Sequence, residues 1–129
     1  MASFQIHLNS KHCCQRGVRF KTLGPSDIDK ITLDAAKVIG PEGTMIELRK
    51  AEWLMGVKQM ITHISEPCPD IETAKFRKVT MQDLDGENYD GLFGPRDHSF
   101  LVQLYREYHE VTQEDVDKIM GKALPVSED

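Results

Sequence analysis

Little in this sequence would let the chain cross a membrane, enter a secretion pathway or be held by internal staples. No apolar run approaches the ~20 residues that a membrane-spanning helix needs, so no membrane role is expected. The N-terminus has no apolar secretion segment, so export by a signal peptide is not expected either. Three cysteines are an odd number, which excludes a complete internal disulfide framework. There is no Walker-type phosphate loop, no Gly-x-Gly-x-x-Gly and no Cys-x-x-Cys pair, and neither an internal repeat nor a low-complexity tract occurs. What remains is ordinary. The 129 residues are 40% apolar and 29% charged, the composition of a folded rather than a disordered chain. One modest core fits this length, and two independent ones do not.

The net charge of −5 is unevenly spread. Residues 1–25 carry Lys11, Arg16, Arg19 and Lys21 and no acid, whereas residues 81–129 hold twelve acids against Arg96, Arg106, Lys118 and Lys122. An acidic bulk repels phosphate backbones, because nucleic-acid affinity rests largely on cations that displace counterions. Nucleic-acid binding is therefore disfavoured. The basic N-terminal stretch meets the acidic face of a neighbouring copy as readily, or lies solvated with nothing bound.

Phe4, Ile6 and Leu8 alternate with polar residues, as do Val18 and Phe20 with Arg19 and Lys21. This period of two marks half-buried strands, and the polar Asn9–Gly17 stretch between them predicts an antiparallel pair. Four Ser/Thr residues precede an acid by three positions: Ser26/Asp29, Thr44/Glu47, Thr80/Asp83 and Thr112/Asp115. Each reads as a capping box, in which the hydroxyl accepts an orphan N–H of the first turn. Ile28, Ile31, Ala35, Val38 and Ile39 then recur at helical spacing up to Gly40-Pro41. A longer stripe of Ile46, Trp53, Val57, Ile61 and Ile64 predicts a second helix ending before Pro67, with Gly56 permitting close packing. Between Glu66 and Gly94 the signals are mixed, with Lys75–Thr80 a short strand or an extended loop. Phe100, Leu101, Leu104 and Tyr108 mark a third helix, and Val116, Ile119, Met120 and Ala123 the inward face of a fourth. The expected class is α+β: a β-hairpin arm over residues 1–24, a helical body over 25–125 and a polar tail over 126–129.

The chemistry-bearing residues are sparse. His12, Cys13, His63 and Cys68 could be assembled into a zinc set, but no short-range ligand clamp accompanies them. A disulfide from Cys13 or Cys14 to Cys68 needs an oxidising setting, and an unpaired cysteine could bridge two chains. Free thiols are the default, with neither metal nor cofactor. Acids crowd between Asp83 and Asp90, yet a calcium loop fails: placing Gly86 at the sixth position puts Met81 first, and placing Gly91 there puts Gly86 first. No nucleophile signature surrounds a cysteine, and no catalytic residue is expected. Met55, Met60, Met81 and Met120 read as core fillers. Phe4, Ile6, Leu8, Arg19, Lys21, Trp53, Phe93, Tyr105 and Tyr108 are the candidates for contact with other chains.

The run Leu92-Phe93-Gly94-Pro95-Arg96-Asp97-His98-Ser99-Phe100-Leu101, followed by Leu104-Tyr105-Arg106-Glu107-Tyr108-His109-Glu110-Val111-Thr112, carries a Phe-x-x-x-Asp, Leu, Tyr pattern. It resembles the small tail proteins of long-tailed bacteriophages, the tail-assembly chaperones and baseplate-hub-type accessory proteins encoded near the tape-measure protein. The resemblance implies protein–protein work with other tail or virion proteins, in a homo- or hetero-oligomer. It places the chain in the virion tail, or in the host cytoplasm during assembly, and it carries no catalytic residues. The β arm would then add a strand to a neighbour's sheet edge. Two other classes compete: a small Cys/His metal- or redox-sensing module, and a dimeric helical regulator touching DNA through residues 11–21.

Overall fold

A computed structural model of the chain describes residues 3–8 and 15–122. Two strands come first, β1 (Ser3–His7) and β2 (Arg16–Lys21), then the helices α1 (Pro25–Ile39) and α2 (Met45–Met60). Next come β3 (Ile61–Pro67), a 3-10 turn at Ile71–Thr73 and β4 (Phe76–Lys78), followed by α3 (Gly86–Leu92), α4 (Pro95–His109) and α5 (Gln113–Lys122). The class is α+β. The strands make one antiparallel sheet in the order β1-β2-β3-β4. The expected two-stranded arm is therefore half of a four-stranded sheet, and β2 is one of its two central strands.

The largest departure from the sequence reading is β3. Ile61 and Ile64 stand three apart, which fits a helix and breaks the simple alternation of a strand. The register explains the spacing: Arg19 pairs with His63 while Phe20 pairs with Ile61, so Thr62 is an extra residue with no partner on β2. Such a bulge reverses the in–out parity of the strand. Ile61 and Ile64 consequently both face the core, and both are buried. Thr62 fixes the bulge by donating its hydroxyl to the Arg19 carbonyl (3.2 Å), while its own carbonyl accepts the Val79 N–H (3.0 Å). β-Branched Ile61, Thr62 and Ile64 favour the extended backbone, and α2 stops at Met60.

Three of the four expected capping exchanges form, and two of them open a helix. Thr44 Oγ1 accepts the Glu47 N–H at 3.1 Å, and the Glu47 carboxylate accepts the Thr44 N–H at 3.4 Å. Thr112 and Asp115 make the same exchange at the head of α5, both bonds at 3.1 Å. Thr80 and Asp83 make it too, but it closes a turn ahead of α3 rather than opening a helix. The Ser26/Asp29 box is corrected. Pro25, pre-set for a first helical position, opens α1 two residues earlier than a Ser26 cap would, and Asp27 accepts the Gly24 N–H at 3.4 Å. Asp97 serves Gly94 in the same way at the head of α4 (3.3 Å).

The core lies between the sheet and the helices α2, α3 and α4, around Val18, Phe20, Val57, Met60, Ile64, Tyr89, Phe93, Leu101 and Tyr105. The buried line of α4 is Asp97, Leu101 and Tyr105, spaced by four, with Phe100 and Tyr108 turned outward. Gly56 is where α2 meets α4. A Cβ built there would lie 2.8 Å from Tyr105 Cδ1 and closer still to Cε1 and Cζ, so only hydrogen fits. Ala123, Pro125 and the 126–129 tail lie outside the described residues.

Candidate functional site

The residues expected to meet other chains divide sharply. Leu8, Phe93 and Tyr105 are buried in the chain's own core and are withdrawn as surface anchors. Phe4 and Ile6 are half-buried against that core. Phe4 packs with Phe20 and Tyr108 at ring-centre distances of 5.4 and 4.8 Å, so β1 is held to α4 by aromatic contact. Trp53 donates Nε1–H to Glu110 (3.0 Å) beneath the Arg106 guanidinium, 4.7 Å from its ring centre. Arg19 lies over the Phe76 ring at 4.0 Å, and Lys21 is half-buried at the end of β2. Arg16, one of the four N-terminal cations, is buried and donates to the Ser65 carbonyl at 2.7 Å.

The proposed zinc set does not converge. His12, Cys13 and Cys14 lie outside the described residues. His63 and Cys68 lie five residues apart along an extended chain, about 15 Å by the rise of a strand, and the His63 ring meets Thr62 instead. Cys68 has a different neighbour, His7, whose Nε2 is 3.4 Å from Sγ. The same nitrogen is 2.8 Å from the Cys68 carbonyl oxygen. A carbonyl only accepts, so Nε2 carries the hydrogen and has no lone pair to give a metal. The thiol itself reaches the Asp70 carbonyl at 3.3 Å. This pair fastens the residues after β3 to β1, and no sequence signal links positions 61 residues apart. Among the described residues no three His, Cys, Asp or Glu side chains gather as a metal site.

A second polar pair lies in a cleft of about 430 Å³ walled by Leu54, Phe93 and Pro95. There the Tyr89 hydroxyl meets His98 Nδ1 at 2.7 Å. Burial pushes the Tyr89 phenol up and His98 down from its usual value, with the Asp90 carboxylate opposing the shift on His98. Both groups are thereby held neutral. The cleft sets the Tyr89–His98 pair and the Asp90 carboxylate in a wall that is otherwise largely apolar. Sequence reading missed it, since His98 stood out only as one residue of the Leu92–Leu101 run.

The most distinctive surface is apolar. The described residues leave α5 with no buried side chain, and its Val116, Ile119 and Met120 are 40%, 69% and 66% exposed. The expectation that this face points inward is corrected. The far end of the α1–α2 hairpin is uncovered too: Val38, Met45 and Ile46 are 70%, 66% and 68% exposed. Val38 continues the Ile31–Ala35 line of α1, and Ile46 the Trp53–Val57 line of α2, beyond the buried part of each. Of the four methionines read as core fillers, Met60 is buried while Met81 and Met120 are exposed. The molecule presents 9215 Å² to solvent, against about 7,000 Å² for a compact monomer of this mass. Protruding elements such as α5 account for part of that difference. Comparison with protein-family models, with curated proteins and with solved structures finds no match to this chain.

Proposed function

We propose that this chain is a tail-associated structural or assembly protein of a long-tailed bacteriophage, acting through protein–protein contacts and not through catalysis. The reading rests on the Phe93-to-Thr112 resemblance, and one observation carries its mechanism: α5 is amphipathic and buries none of its apolar face. An apolar stripe of this kind is the usual anchor of a helix laid on a partner. The partner under this reading is another tail or virion protein, met in the particle or in the host cytoplasm during assembly.

The docking element differs from the one the sequence pointed to. Residues 3–7 and 16–21 are strands of the chain's own sheet and not a loose arm, because β2 supplies Val18 and Phe20 to the core. Removing them would unfold the chain rather than test its partnership. The test is instead the full chain with Val116→Asp and Ile119→Asp, placed in the producing cells beside the wild type. Mass spectrometry of purified particles and of tail-assembly intermediates should find the wild type with named tail components and the variant missing, with helicity by circular dichroism unchanged. A wild-type chain absent from particles and intermediates alike overturns the proposal.

A further inference from the structure

The cleft between α2, α3 and the start of α4 holds two polar groups with bonding capacity to spare. The Tyr89 phenol is buried and held protonated, so its O–H needs an acceptor. Among the described residues, His98 Nδ1 at 2.7 Å is the acceptor it meets. Tyr89 therefore donates, Nδ1 accepts, and the hydrogen of the neutral imidazole sits on Nε2. That second nitrogen bonds to no described residue, and it is not among the polar atoms sealed from solvent without a partner. The exposed Asp90 carboxylate lines the same cleft. No hydrogen bond or ion pair from a described residue engages it, and it acts on His98 through space, against the downward shift there. Lys58, the cation that also acts on His98, lies over the Tyr89 ring at 5.2 Å.

We infer that this cleft binds a small neutral ligand carrying a carboxamide on an apolar ring. A carboxamide is a neutral group that serves both sides: its oxygen accepts from His98 Nε2–H, and its N–H donates to Asp90. Leu54, Phe93 and Pro95 supply apolar cover for the ring. The volume of about 430 Å³ falls within the range of roughly 300–1,000 Å³ usual for small-ligand sites. Other head groups satisfy one side only. A carboxylate accepts from Nε2–H but is repelled by Asp90, and an ammonium suits Asp90 but gives Nε2–H no acceptor. An apolar head leaves both groups desolvated and unpaired. The lining comes from α2, α3 and α4 and includes no residue of α5, so the inference stands apart from the assembly reading.

The experiment titrates the full chain at neutral pH with benzamide, benzoate and benzylamine, three probes of similar size, and follows the backbone amides by NMR. Benzamide should shift the amides of α3 and the start of α4 saturably and leave those of α5 in place. Benzoate and benzylamine should each bind about tenfold more weakly, the loss expected when a polar group in the cleft goes without its partner. Asp90→Asn, at an exposed position, removes the charge and keeps the fold, so the preference for benzamide over benzoate should shrink several-fold. His98→Phe removes Nε2–H and should abolish benzamide binding. Circular dichroism reports whether that variant folds, and Asp90→Asn decides the matter if it does not. Absence of a saturable benzamide shift up to about 50 mM overturns the inference, as does a preference for either charged probe. Shifts centred away from α3 and α4 overturn it too. So does an Asp90→Asn chain with the wild-type preference, or a folded His98→Phe chain that binds benzamide as the wild type does.

Discussion

Replacing Gly56 with alanine sets two opposing effects against each other. In an exposed helix the change would stabilise by about 1 kcal/mol, because alanine loses less backbone freedom on folding. Here the new methyl would fall 2.8 Å from Tyr105 Cδ1 and nearer to two other ring atoms, where carbons normally keep about 3.5–4.0 Å. The ring cannot swing clear: it is buried, and its other side stacks on His109 at 4.6 Å. Either α2 and α4 separate or Tyr105 leaves its rotamer. Overpacking of this kind costs about 1–3 kcal/mol, and a clash against a hemmed-in ring belongs at the top of that range. The net expectation is a loss of about 2 kcal/mol, which for a chain of this size lowers the melting temperature by roughly 6–8 °C. Urea unfolding followed at Trp53 measures it. In a Tyr105→Leu background the same substitution should become neutral or stabilising, giving a large coupling energy in the double-mutant cycle. A Gly56→Ala variant more stable than the wild type would refute the claim that α2 and α4 touch at this point.

Two further expectations concern titrating groups. Burial holds His98 below its ordinary 6.5, so the unfolded chain takes up that proton first as the pH falls. Its contribution is therefore intact above pH 6.5 and declines below it until the folded His98 is itself protonated. His98→Gln, which can still accept from Tyr89, should flatten the fall in urea midpoint between pH 7 and about pH 5; an unchanged slope would show that His98 is not held neutral. The Arg77 guanidinium, paired with Asp83 at 2.8 and 3.0 Å, holds that carboxyl well below the usual carboxylate range, helped by the Thr80 N–H. The stabilisation is present above the ordinary value of 3.8 and fades as the pH drops below it. Because the pair faces solvent, Asp83→Asn should cost only about 1 kcal/mol at neutral pH, and a loss well above that would mean the turn before α3 depends on it more than its exposure implies.

How much of this could be read in advance depends on whether a local rule acted alone. β1 and β2 were legible because apolar and polar residues alternate through all five residues of β1 and from Val18 to Lys21 in β2. The starts of α2 and α5 were legible because Thr44 and Thr112 each face an acid three residues on. Gly56 was legible as a close approach, although not the ring it approaches. β3 was hidden by a single inserted residue: with Thr62 bulged, a strand acquires the spacing of a helix. α1 begins at Pro25 because proline at the first helical position outcompeted the neighbouring Ser26 box. On α4 the buried line runs through the charged Asp97, so the pattern of apolar residues alone pointed about one residue off, to Phe100 and Tyr108 instead of Tyr105.

The inward face expected of α5 failed for a different reason, and that reason bears on function. An apolar stripe at helical spacing states that a helix must be covered, not by what. Val57 and Ile119 carry the same signal, yet Val57 lies under the sheet and Ile119 lies in water. The difference arises from the short link after α4. His109 accepts the Leu23 N–H at 2.8 Å and donates to the Tyr105 carbonyl at 2.8 Å, which anchors the end of α4 beside the start of α1. Three residues later the Thr112 box starts α5 on a new course, away from a core already closed by Trp53, Arg106 and Glu110. A stripe left over after the core is complete has no cover among the described residues.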